Sequence, residues 1–409
     1  MFAFCIPTLI LLVISSLSVN VLAQGIEDRK LTPPHRIPVE HFNDPRKFVL
    51  VPGTEFGIPL RDLPAIRNQG PLALCQIFCS TALIEIARCR MAGKQCSSLD
   101  EIEKISVVSM LMYRDNLRSP NLGSISPFYG SGESRLHEIL DKIQSNSRAP
   151  IFYSESCLPY EKFVGRQGFR TPYEIKTFFD TIRQLYESAR DRPQLELDMR
   201  NGRCPECEKL LEIGRENFVA GANSTSLAQS LGEKTFNGFL FYFFLNENSA
   251  TNGSCKEIIL PAKPYFQHYP RLEAAVPLAT VFEYIENVIR QNRPVVLASL
   301  CTSKYIDNGE CALHCLLITA IKEVRSVATG ETITLVRVHN SYGKMWQDEH
   351  DEGWIRLEIL KSATSTFDDP NLEKPADQRL VAFAHTVSII TWDRTFNRKN
   401  PDSFPGLQR

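Results

Sequence analysis

One segment constrains the fold more than any other. Leu74 to Arg88, LCQIFCSTALIEIAR, is apolar on nearly every face until Glu85. A helix without a polar face has to sit in the middle of a core, with other elements packed around it. The chain has material for such a core: 409 residues, 43% of them hydrophobic, enough for one large domain or two moderate ones. Its charges nearly cancel, 46 Lys and Arg against 47 Asp and Glu. That balance excludes a disordered acidic chain, and the absence of a basic bias argues against nucleic acid as the default partner. The 25 Pro and 21 Gly follow no short period, which excludes coiled-coil and collagen-like classes.

The first residues read as a leader. Met1 to Ala23 has no charged side chain, an apolar stretch from Ile6 to Ile14, and modest side chains at Val21-Leu22-Ala23. This predicts a signal peptide over 1–23, cut before Gln24. The competing reading is an uncleaved anchor, against which the apolar run falls short of the ~20 residues of a span. The expected product is secreted or periplasmic, with no stable membrane span after signal removal. Twelve Cys fit an oxidising compartment, and losing Cys5 with the leader leaves an odd number, so at least one thiol is unpaired. Cys89/Cys96 and Cys301/Cys311 bracket short loops and read as local staples. Cys204-Pro-Glu-Cys207 suits disulfides to other cysteines better than zinc, because no second such pair completes four ligands. No phosphate loop, H-E-x-x-H or dinucleotide fingerprint occurs, so neither metal nor cofactor is expected.

The fold class reads as α+β. After an extended lead-in over 24–51, a helical lobe is expected over 52–164, with helices at Leu74–Arg88, Leu99–Asn116 and Leu136–Gln144. Residues 165–280 change character, with charged helical patches and the sequons at Asn223 and Asn252, and read as an insertion. A β-rich lobe follows over 281–409: a helix at Val281–Gln291, then strands at Val295–Leu300, Leu316–Val324, Thr332–His339, Trp354–Leu357 and Leu380–Trp392. Helices first and strands last imply two lobes.

Cys75 is the candidate for the unpaired thiol. It stands at the first turn of the buried helix, where the positive end of the helix dipole favours thiolate, the nucleophilic form. A thiolate at neutral pH needs a base or ion-pair partner. His314 lies in the strand-like Leu313–Ala320, and Asn340 at the end of the next strand has an amide able to orient its imidazole. An ion pair of this kind keeps Cys75 reactive well below the ~8.5 of a free thiol. The plain alternatives are an inert buried thiol and a core histidine. Cys79, Cys315 and His339 read as structural, the last two because strand alternation turns them away from His314 and Asn340.

These residues carry a resemblance. Asn68-Gln69-Gly70 followed by Cys75 at the head of an apolar helix resembles the active-site segment of papain-like cysteine peptidases. Tyr129-Gly-Ser-Gly132 is similar to that family's Gly-rich cleft loop, and Glu155-Ser-Cys-Leu-Pro-Tyr160 to its Pro-Tyr segment. Asn340-Ser-Tyr-Gly343, Trp346 and Gly353-Trp-Ile-Arg356 resemble the run after its catalytic His. The resemblance implies a two-lobe fold, a helical lobe beside a β-barrel-like one, and hydrolysis of a peptide or protein substrate through an acyl-enzyme. It implies Cys75 as nucleophile, His314 as its partner and later acid, Asn340 as orienter and Gln69 as oxyanion donor. Gly130, Ser131, Gly132, Tyr342 and Trp346 would face substrate. The Cys-to-His gap exceeds the ~130–150 residues of the papain-like pattern, and 165–280 supplies the excess. Gln76 and Tyr342 stand where the family has Trp. Leu72 and Tyr129–Glu133 lack a Cys pair that the family bridges. The alternatives are a catalytically inactive papain-fold binding protein using the insertion, and acyl transfer to an amine by the same residues.

Overall fold

The computed structural model describes residues 37–70, 74–110, 140, 141, 143, 144, 151–157, 159–161, 172–217, 223–233, 236, 239, 240, 243, 256–260, 264–270, 276–304, 311–364, 366–368, 380–382 and 387–391. The leader over 1–23, Leu72, the loop with Gly130, Ser131 and Gly132, the sequon at Asn252 and the side chains of Cys301 and Cys311 lie outside them.

The strands are β1 (Phe48–Leu50), β2 (Phe56–Gly57), β3 (Ile151–Tyr153), β4 (Glu257–Ile259), β5 (Tyr265–Tyr269), β6 (Val276–Pro277), β7 (Val295–Lys304), β8 (Cys311–Ser326), β9 (Thr332–His339), β10 (Trp354–Arg356), β11 (Thr366–Asp368), β12 (Leu380–Ala382) and β13 (Val387–Thr391). The helices are α1 (Cys75–Ala92), α2 (Pro172–Arg190), α3 (Leu195–Arg200), α4 (Pro205–Asn217), α5 (Ser224–Leu231), α6 (Leu278–Arg290), α7 (Lys344–Glu349) and α8 (Leu357–Ala363).

The protein is built on one antiparallel sheet in the order β10-β9-β8-β7-β13-β5, with β1 and β2 also paired to β8. Strand β8 is its spine, and both its faces are covered. Cys315 and Leu317 enter a core with α1, α2, α4 and α5, whereas Leu316 and Ile318 enter a second core with α6 and α8. A strand buried on both faces carries a continuous apolar run, which is how Leu313–Ala320 reads. Helix α1 holds the centre of the first core. Its apolar circumference is buried from Cys75 to Ala87, and it ends at Gly93 in the left-handed region, with φ 63°. The Cys89–Cys96 disulfide then folds the following turn back on it.

Several expectations are revised. The sheet is open among the described residues, from β10 to β5, so the β-barrel-like closure is absent there. In Leu99–Asn116 only the part to Met110 is described, and helix begins at Val107. Upstream, the Ile105 N–H is taken by the Glu85 carboxylate at 2.6 Å and the Ser106 N–H by the Tyr153 carbonyl at 2.8 Å, which removes both from helical bonding. The run Leu380–Trp392 is two strands, β12 in a small sheet with β11 and β6, and β13 in the main sheet. Trp354–Leu357 stops at Arg356, and Leu357 opens α8. Cys204 and Cys207 bond to each other, not to other cysteines or zinc. Within 165–280, β4 pairs with β3, and β5 pairs with β13.

Candidate active site

Two distant stretches of chain bring the site together: the Asn68–Gly70 loop with the start of α1, and the neighbouring strands β8 and β9 with the turn after β9. Asn68 forms an isolated bridge to Tyr342, and the Gln69 N–H donates to the Ser341 carbonyl at 2.8 Å. The loop is thereby zipped to the turn that follows Asn340. Gly343, with φ 91°, makes the close approach: a Cβ there would meet the Asn68 side chain at 3.2 Å.

His314 on β8 and Asn340, the residue that follows β9, meet. The His314 Nε2–H donates to Asn340 Oδ1 at 3.0 Å, with His314 4% and Asn340 0% exposed. That assigns the proton to Nε2 and leaves Nδ1 as an acceptor. The Tyr342 hydroxyl lies 3.1 Å from Nδ1, and the two rings stack with centroids 4.5 Å apart and planes 7° apart, which places that hydroxyl over the imidazole face, out of line with the in-plane Nδ1 lone pair. Gln69 is fixed from both ends. Ser341 Oγ–H donates to its Oε1 at 2.5 Å, and the Tyr160 hydroxyl to its backbone carbonyl at 2.6 Å. A side-chain amide whose oxygen is held this way presents its NH2 as the other end. Sequence reasoning did not single out Ser341 or Tyr160 for this work, although both lie inside the motifs that flagged the site.

Cys75 is a free thiol, 6% exposed, at the first position of α1. The N–H groups of Cys315, Gln76 and Cys75 itself point at its sulfur and favour thiolate, yet burial, aided by Cys79, pushes the thiol up to about 12. The helix terminus is worth at most about 2 kcal/mol, and desolvating a charge costs several. Burial therefore wins. His314 is driven the same way toward neutrality, down to about 4 by burial against the pull of Asn340. No hydrogen bond joins Cys75 Sγ to His314 in this arrangement. The expected ion pair is thus replaced at rest by a neutral thiol and a neutral imidazole. Cys79 and Cys315, also free and buried, lie on the α1 side of β8 with Cys75. Trp346 lies in α7, stacked on His350 at 4.0 Å.

His339 faces away from Asn340, bonded through Nε2 to the Pro64 carbonyl at 3.0 Å, and burial takes it down to about 4 as well. An unfolded histidine titrates near 6.5, so below that pH the unfolded chain takes protons that the folded chain refuses. Stability should fall as pH drops from about 6.5 toward 4, by up to about 3 kcal/mol for each of the two. Glu155, raised to about 7 by burial that outweighs Arg67, works in the opposite sense. Its contribution is full below about pH 4.5 and lost as pH rises through 7, and it offsets one histidine of the two. Urea unfolding at pH 7 and pH 5 should give a lower midpoint at pH 5; an unchanged or higher one contradicts this account of the buried histidines.

Among the described residues no group of three or more His, Cys, Asp or Glu is placed to hold a metal ion, and no helix is long and apolar enough to cross a membrane. No family model matches the chain, and no curated protein matches it. Two solved structures of SERA5E from Plasmodium falciparum are similar over 80% of this chain and 88% and 89% of theirs, at 12% and 15% identity and a TM-score of 0.33. A likeness at that TM-score carries no argument.

Proposed function

We propose that the chain is an exported cysteine peptidase of the papain-like kind, with Cys75 as nucleophile, His314 as base and then acid, and Asn340 as the residue that orients His314. The single observation that carries this reading is the buried His314–Asn340 hydrogen bond at 3.0 Å, His314 being the chain neighbour of Cys315, whose backbone favours the Cys75 thiolate. A neutral imidazole with its proton on Nε2 has Nδ1 to accept the thiol proton. The thiolate then attacks the scissile carbonyl carbon. The tetrahedral oxyanion would be met by the Gln69 NH2 and the Cys75 N–H, the latter at the start of α1. The protonated His314 returns its proton to the leaving amine, and water releases the acyl group by the same path. Gly130, Ser131 and Gly132 would line the cleft, and Tyr342 and Trp346 would flank substrate. The 165–280 stretch stays the insertion between two lobes in this reading.

The second reading, an inactive papain-fold binding protein, is favoured by the neutral, unconnected state of Cys75 and His314. The two part on one experiment. The chain from Gln24 onward is incubated with an unfolded-protein and peptide library, beside its Cys75→Ala variant, and new termini are counted by mass spectrometry. Cleavage that disappears in the variant supports the peptidase. Equal cleavage, or none from either chain, sinks it.

A further inference from the structure

We propose that Tyr160 is a positioning residue of this site, setting the oxyanion donor Gln69 against the helix that carries Cys75. The inference rests on the peptidase reading above and adds a residue to its machinery. An oxyanion donor works by being in place before the charge develops, so a small displacement costs rate and not binding. Gln69 sits in a loop and precedes Gly70, which is at φ 60° and free to swivel. Its backbone is held on both sides. The Gln69 N–H donates to the Ser341 carbonyl at 2.8 Å, which fixes the peptide before its Cα. The Tyr160 hydroxyl donates to the Gln69 carbonyl at 2.6 Å, which fixes the peptide after it. With both peptide planes held, the direction in which the Gln69 side chain leaves the backbone is set.

Tyr160 is anchored well enough to do this. It is 2% exposed, and its N–H donates to Glu155 Oε1 at 2.7 Å. Its ring meets Phe78 edge-on, with centroids 4.9 Å apart and planes 84° apart. Phe78 lies in the first turn of α1, which Cys75 begins. One side chain thus touches the nucleophile's helix with its ring and the oxyanion loop with its hydroxyl. Burial and the neighbouring Glu155 push that hydroxyl above the ordinary phenol range, so it stays a donor throughout the neutral range.

The test is a double-mutant cycle on the chain from Gln24, using the library peptide that the wild type cuts fastest: wild type, Tyr160→Phe, Gln69→Ala and the double variant, all below their thermal midpoints. Tyr160→Phe keeps the ring on Phe78 and removes the hydroxyl alone. It should lower kcat about twofold to tenfold, the range of one net hydrogen bond, and leave KM within about twofold. Gln69→Ala should lower kcat about 10²- to 10³-fold. Because Tyr160 acts through Gln69, the double variant should be no slower than Gln69→Ala alone, whereas independent structural losses would multiply. A second readout needs no turnover: the 13C shift of the Gln69 carbonyl, assigned by its absence in Gln69→Ala, should move in Tyr160→Phe. An unmoved shift overturns the contact. A moved shift with unchanged kcat, or with losses that multiply, overturns the positioning role. A wild type that turns over while Gln69→Ala is unimpaired places the failure in Gln69, and a wild type that cuts nothing sinks the peptidase reading and this role with it.

Discussion

Arg67→Met should lower the stability of the fold by about 3–5 kcal/mol, the toll for leaving a buried charge without its partner. Arg67 Nη2 donates to Glu85 Oε1 at 2.9 Å, with the Glu85 side chain 1% exposed, and Glu155 adds to the field that keeps the guanidinium charged. Without Arg67, the Glu85 carboxylate is buried uncompensated, and Glu155, already raised to about 7, is driven further toward its neutral form. The same carboxylate oxygen of Glu85 accepts the Ile105 N–H, so the damage spreads to the chain around Lys104–Ser106. The consequence is functional too. Glu85 belongs to the helix that begins with Cys75, and Arg67 immediately precedes the loop that carries Gln69. The ion pair therefore ties the nucleophile to its oxyanion donor. A paired replacement, Arg67→Met with Glu85→Gln, should recover most of the loss, because both charges of the buried pair go together while the amide oxygen still accepts the Ile105 N–H. Urea melts at pH 7 check this. A single variant within about 1 kcal/mol of wild type refutes the role given to the pair.

His314→Ala should lower kcat/KM by about 10²- to 10⁴-fold on any peptide the wild type cleaves, the usual span of a positioned acid–base group. Because burial holds His314 neutral down to about 4, its base form is present across the neutral range. The acid limb of the pH profile should therefore lie near 4, not near the 6.5 of a free histidine. An acid limb at 6 or above means that another base, or a charged His314, does the work.

How far the sequence revealed this arrangement differs by element. Helix α1 was legible because a run without a polar face has one place to go. Strand β9 matches its expected bounds at both ends, since its alternation is fenced by the Ala328-Thr-Gly330 turn and by Asn340. The missed start of the second helical region has a cause outside its own sequence: the Glu85 carboxylate, on a different helix, claims the Ile105 N–H. Local pattern cannot encode a bond from a distant residue. The candidate site divides in the same way. His314 and Asn340 were readable as types at the ends of neighbouring strands, and strand pairing joins them. Their charge state was not, because the helix dipole is visible in sequence and the depth of burial that outweighs it is not. The Tyr342 hydroxyl was equally hidden: its position over Nδ1 depends on the Asn68 bridge, a contact between two loops far apart in the chain.

The most direct measurement of the central claim is residue-resolved alkylation of the three thiols that are free and buried among the described residues. The chain from Gln24 and its His314→Ala variant are treated with a limiting dose of iodoacetamide, and peptide mapping assigns the label. Cys75, 6% exposed, should be modified ahead of Cys79 at 2% and Cys315 at 0%, and its rate should fall in the variant, because His314 serves that sulfur. Labelling spread evenly over Cys75, Cys79 and Cys315, or a Cys75 rate indifferent to His314, would contradict a nucleophile–base pair and leave Cys75 a core thiol.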